Sequence, residues 1–114
     1  MTDMPERTRR VLPDLLSFAG AAERLVARGH DAYANDEVLR LASEALLHKI
    51  GEAVGKLPDD FVDAHPDVPW RAMKATRNLV AHEYEQIDYA IIWNALAVRL
   101  PASAEIIREI LKVR

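Results

Sequence analysis

Apolar residues recur at every third or fourth position along almost the whole chain, and no stretch alternates apolar and polar residues as a half-buried strand would. That periodicity restricts the chain to helices packed on helices. The spacing predicts a first convincing helix from near Leu12, with Pro13 in its first turn and a shorter turn ahead of it from Pro5. Its stripe is Leu15, Leu16, Ala19, Ala22, Leu25 and Val26, and Gly29 after Arg28 stops it. A second helix is capped by Asn35 or Asp36 and ends before Pro58. Val38, Leu41, Ala42, Ala45, Leu46, Ile50, Ala53, Val54 and Leu57 give it a broad apolar face. Gly51 and Gly55, four apart on that helix, predict close approach of another helix, while Glu52 and Lys56 between them exclude a transmembrane reading.

Residues 58–69 hold three prolines and four aspartates and read as a linker, with one helical turn over 60–64. Pro69 opens a third helix, anchored by Trp70 and running to about His82; a polar break comes next, over 83–86. Residues 87–100 and 101–113 read as a fourth and a fifth helix, separated because Pro101 removes a hydrogen bond and crowds the preceding turn. The expectation is an all-α, up-and-down bundle of about five helices forming one domain over 1–114.

The third helix carries the residues with chemistry. At 100° per residue, Ala72, Met73, Thr76, Leu79 and Val80 fall on one side as the expected core face. Arg71, Lys74, Asn78 and His82 fall on the other, flanked by Arg77. This local cationic stripe matters because the chain as a whole is acidic, with net charge −3, whereas affinity for nucleic acid depends on neutralising phosphates. Arg77 and His82 are five apart, about 140° on an ideal helix, so they share a site only where the helix bends or ends, or where a two-fold axis gathers both pairs in a dimer cleft. The residue types suit phosphodiester chemistry. Imidazole moves protons near neutral pH. Guanidinium matches phosphate oxygens bidentately and keeps its charge. The RNA 2′-hydroxyl is a built-in nucleophile, so the reading needs neither metal nor cofactor. Weighed on spacing alone, an Arg and a His five apart are more often a solvated face.

The wider pattern is sharper. Arg77-Asn78-Leu79-Val80-Ala81-His82-Glu83-Tyr84 matches R-x4-H-x-Y. Ile50-Gly51-Glu52-Ala53, Pro66-Asp67-Val68-Pro69-Trp70, Ile87-Asp88, Trp93 and Leu100-Pro101 keep the same family order. The chain from about Ala42 onward thus resembles the HepT-like ribonuclease toxins of the HEPN superfamily; the first forty residues carry no matching motif. The resemblance implies a helical homodimer with Arg77 and His82 as catalytic residues in its cleft, and Asn78 in support. It implies a toxin of a type VII toxin–antitoxin module acting on RNA. The partner would be an MntA-type nucleotidyltransferase that silences the toxin by adding AMP to Tyr84. Some relatives serve instead as non-catalytic companions of the nucleotidyltransferase, which is the alternative reading.

Other residues read more plainly. Glu44, His48 and Glu52, four apart, suit structural hydrogen bonds or a polar interface better than a metal site, and Glu52 is a candidate partner for a cation of the motif helix. Arg71 and Lys74 are candidate phosphate contacts. His30 and His65 are expected in solvated loops, Trp70 and Trp93 as packing anchors, and Tyr33 and Tyr89 have no assigned role. The absence of cysteine excludes disulfides and thiolate metal sites. Residues 1–10 lack the apolar core of a secretory signal, and apolar runs fall far short of the roughly 20 residues of a bilayer span, so a cytoplasmic location without membrane contact is expected.

Overall fold

The computed structural model describes residues 6–81 and 87–112, and among them every regular element is helical. The elements are α1 (Glu6–Val26), α2 (His30–Asn35), α3 (Glu37–Val54), α4 (Asp59–Ala64), α5 (Trp70–Ala81), α6 (Tyr89–Asn94), a π-helical turn (Ala95–Arg99) and α7 (Leu100–Lys112). Four long helical runs therefore build the bundle: α1, α3, α5, and the unbroken run from α6 through α7. The expected fourth and fifth helices are one.

Pro101 explains that continuity. The π turn carries a wider hydrogen-bonding ring, with Leu100 N–H donating to the Ala95 carbonyl. This resets the ladder so that Pro101 falls in the first turn of α7, where a missing donor is tolerated. The combined run, Tyr89–Lys112, holds an 18-residue window with a mean hydropathy of 1.3 and is long enough to cross a bilayer. The expectation from short apolar runs overlooked this length. In the bundle the same run buries Ile92, Leu96, Leu100, Ala104 and Ile107, and it packs on α1.

Pro13 is also inside a helix rather than at its start. The inward line Thr8, Leu12, Leu15, Ala19, Ala22 and Leu25 is buried on both sides of it. Pro13 and Arg9 are exposed, so the carbonyl that Pro13 leaves without a donor faces water. Burial of the upstream turn against the core offsets the local cost.

Gly29 ends α1 as expected: its φ is +96° and its N–H donates to the Val26 carbonyl at 2.9 Å. The chain then enters a short helix, α2, where a loop was expected. Asp36 caps α3, its carboxylate accepting from Val38 N–H at 2.9 Å. Tyr33 of α2, without a role on sequence grounds, is 1% exposed and sits in the core. Its hydroxyl meets Ser43 Oγ of α3 at 3.0 Å, and its ring lies 5.0 Å from that of Trp93. The linker turn α4 is present. His65, expected in solvent, is half-buried with its ring 4.5 Å from Phe61, and its carbonyl accepts from the Trp70 indole N–H at 2.9 Å. Trp70 is 3% exposed, the anchor that its position suggested.

Two glycines probe this backbone in opposite directions. Gly29→Ala forces a Cβ into the left-handed region and should lower the unfolding free energy by about 1–2 kcal/mol. Gly20→Ala adds a methyl inside α1, where the nearest atom is the far end of Arg24 at 3.8 Å, and should raise it by about 0.5–1 kcal/mol. Urea unfolding of both variants checks the pair; equal signs would contradict it.

Candidate functional site

The motif helix is held by α3. Among the described helix pairs, α3 and α5 form the most extensive interface. Leu47 and Ile50 lie beside Met73 and Thr76 in one apolar groove, and Val54 and Gly55 lie beside Trp70 and Lys74 in a cleft at the other end. Residue numbers rise along one helix as they fall along the other, so the two run antiparallel. Gly51 is buried, and a Cβ placed on Gly55 would come within 3.7 Å of Lys74 Cε. That is ordinary van der Waals contact with a flexible side chain, so Gly55 does not show the unusually close approach expected of the glycine pair.

The inward face of α5 differs from the expectation. Trp70 and Met73 are buried and Thr76 is exposed to a degree that leaves it at the rim, while Ala72 and Ala75 are exposed outright. The helix is rotated so that the Trp70–Met73 line, rather than the Ala72–Thr76 line, is centred on α3. Hydrophobic periodicity could not detect this, because two alanines weigh little against one indole. Position 77 is seven residues beyond Trp70 and four beyond Met73, within about 40° of both. By helix register its Cα follows the Trp70–Met73 line along α5. Starting from the Gly55–Lys74 crossing, one turn back along α3 reaches Glu52 and one turn forward along α5 reaches position 77.

Arg77 and Asn78 lie on the described backbone of α5; their side chains, those of Leu79 and Val80, and the whole of His82 and Tyr84 lie outside the described residues. Arg71 and Lys74 are exposed and line an open cleft of about 310 Å³ with Val54, Gly55, Asp59, Asp63 and Trp70. Two carboxylates of α4 share that cleft, so the first half of the stripe is charge-balanced rather than purely cationic. Among the described residues no group of three or more His, Asp or Glu is placed to hold a metal ion.

Beyond the motif segment, the chain re-enters the bundle at a polar cluster that sequence reasoning missed. Asp88 caps α6, accepting from Ala90 N–H at 3.0 Å. The Tyr89 hydroxyl donates to Glu44 Oε2 of α3. The Arg40 guanidinium sits 5.6 Å from the centre of the Tyr89 ring, and its Nη1 donates to the Ala34 carbonyl at 2.7 Å, tying down the end of α2. The hydrogen bond to Glu44, then burial and the nearby carboxylate charge, pushes the Tyr89 phenol up to about 12. It therefore stays a neutral donor throughout the physiological range. Of the Glu44, His48 and Glu52 stripe, Glu44 makes the structural hydrogen bond expected of it, and His48 is exposed. The only sequence signal for the Tyr89 contact was the polar Glu44 on an otherwise apolar stretch.

Comparison with known proteins agrees with this geometry. The family model described as Ribonuclease HepT-like matches residues 15–110, so the likeness begins in α1, well ahead of the first matching motif in the sequence. "Putative RNase MJ0127" of Methanocaldococcus jannaschii is 38% identical over 82 residues, covering 72% of this chain and 68% of its own length. "Putative RNase TTE0752" of Caldanaerobacter subterraneus subsp. tengcongensis is 34% identical over 90 residues, covering 79% and 80%. "Probable ribonuclease HepT" of Thermococcus cleftensis is 33% identical over 67 residues, covering 59% and 61%. No solved structure matches the chain. A helical bundle whose sequence carries R-x4-H-x-Y from the end of its motif helix, matched by one family model over most of its length, belongs to the HepT-like ribonuclease family.

Proposed function

We propose that this chain is the toxin of a two-component, type VII toxin–antitoxin module and cleaves RNA without a metal ion, through attack of the 2′-hydroxyl on the adjacent phosphorus. The observation that carries the reading is the ordered set Arg77, Asn78, His82 and Tyr84 at the end of the helix that α3 holds most extensively, within a ribonuclease family. In this mechanism His82 takes the 2′-proton or returns one to the leaving 5′-oxygen. Arg77 stabilises the charge that builds on the phosphoryl oxygens. Glu52, level with position 77, is the carboxylate suited to orient that guanidinium. Asn78 supports the site, and Arg71 and Lys74 extend phosphate contacts along the helix. The products are a 2′,3′-cyclic phosphate and a 5′-hydroxyl.

The working unit is a homodimer in the cytoplasm. Support comes from the outer face of α3, where Val38 is 70% and Leu41 54% exposed, with Ala42 and Ala45 exposed beside them. A helix apolar on both faces needs cover on both. A second copy covers this face and brings two motif helices to one cleft. Silencing is by a partner nucleotidyltransferase that transfers AMP from ATP to the Tyr84 hydroxyl, with pyrophosphate leaving. The added phosphate places negative charge where an RNA backbone must lie.

RNA cleavage by purified protein in excess EDTA tests the chemistry. Wild type should give cyclic-phosphate ends, and His82→Ala should lower the rate by about 10²–10⁴-fold. Arg77→Lys should not restore an Arg77→Ala loss, since an ammonium lacks the bidentate fork. Absence of cleavage by a wild type of unmodified mass would sink the reading and leave a non-catalytic companion of the nucleotidyltransferase. Light scattering should show a dimer that Leu41→Glu dissociates; a wild-type monomer at micromolar concentration would refute the shared cleft.

A further inference from the structure

We propose that Glu44 and Tyr89 form a positioning pair that fixes where the chain re-enters the bundle at α6, directly after the motif in the sequence, and that catalysis by the motif depends on this anchor. The inference rests on the ribonuclease reading and deepens it, because neither residue belongs to R-x4-H-x-Y. Tyr89 is the first residue of α6 and is held from two neighbouring helices. Its hydroxyl donates to Glu44 of α3. The Tyr33 hydroxyl lies 3.0 Å from Ser43 Oγ, whose own proton goes to the Arg40 carbonyl at 2.6 Å, and 3.5 Å from the Tyr89 carbonyl. The Tyr33 and Tyr89 rings meet edge to face at 6.2 Å. Arg40 covers the Tyr89 ring while gripping the end of α2.

The placement of these contacts distinguishes a positioning role from general packing. Residues 82–86 are bounded by α5 on one side and by Ile87 on the other. α5 is fixed by its interface with α3. Among the described residues, the other end is held by the Asp88 cap, the half-buried Ile87 and the Tyr89 contacts. Glu44 and Tyr89 are themselves only half-buried, so their bond adds little to the core that holds the fold together. The bond instead decides the position of one chain end, five residues from Tyr84 and seven from His82. A general acid or base misplaced by about 1 Å can lose about a hundredfold in rate. The Tyr89 phenol, held neutral, keeps donating to Glu44 throughout the physiological pH range.

Tyr89→Phe, Glu44→Ala and Glu44→Gln, assayed for RNA cleavage and thermal unfolding in the full chain, test the pair. Tyr89→Phe and Glu44→Ala should lower kcat by about 10- to 100-fold, with KM and melting temperature close to wild type. Glu44→Gln, whose amide oxygen still accepts, should recover most of the rate. An unchanged kcat in Tyr89→Phe, or a fall that merely tracks loss of folded protein, would overturn the proposal. Should wild type itself fail to cleave RNA, the ribonuclease reading falls separately. Hydrogen exchange at the Ile91 and Ile92 amides, which donate to the Asp88 carbonyl, then judges the pair. Faster exchange in Tyr89→Phe supports it, and unchanged exchange rejects it.

Discussion

The antiparallel packing of α5 on α3 is the constraint on which the rest of the structure depends. Trp70 and Met73 from one helix close against Leu47, Ile50 and Val54 from the other, and all five are buried. The indole alone removes a large apolar area from water, and its N–H is satisfied by the His65 carbonyl, so its burial leaves no polar penalty. Lys74 crosses at Gly55, its Cε in ordinary van der Waals range of where a Cβ would stand. Once this interface forms, the rotation of α5 is decided.

Everything else braces that pair of helices. α1 and the long run from Tyr89 to Lys112 supply a second wall, joined through Leu12, Leu15, Leu96 and Ile107. Two prolines that would ordinarily break helices are absorbed by different means. Pro13 leaves a carbonyl to solvent, and Pro101 is accommodated by a π turn that shifts the hydrogen-bond ladder. The fold therefore tolerates local cost wherever burial along an inward line exceeds it. The short helix α2 works in the same way: it has little propensity of its own, yet Tyr33 plugs it into the core and bonds to Ser43.

The chemistry proposed for the chain sits at the free end of this frame. One attachment of the motif segment is the α5 helix. The other is Tyr89, reached by contacts from α2 and α3 that are far away in sequence. The exposed Val38 and Leu41 show that α3 has a second apolar face besides the one that holds α5.

The sequence by itself determined the helical class, the stop at Gly29, the cap at Asp36, the anchor at Trp70 and the order of motif residues from Ile50 to Pro101. These are local matters of period, backbone freedom and residue type, legible without knowing what lies across the core. Tertiary structure alone decided the rotation of α5, the merging of the last two helices and the roles of Tyr33, Tyr89 and Glu44. Each depends on which distant side chain competes for the same space. A period cannot rank an indole against two alanines, a proline does not announce the π turn that will absorb it, and a tyrosine's hydrogen bond to a carboxylate 45 residues away exists only once the helices have met.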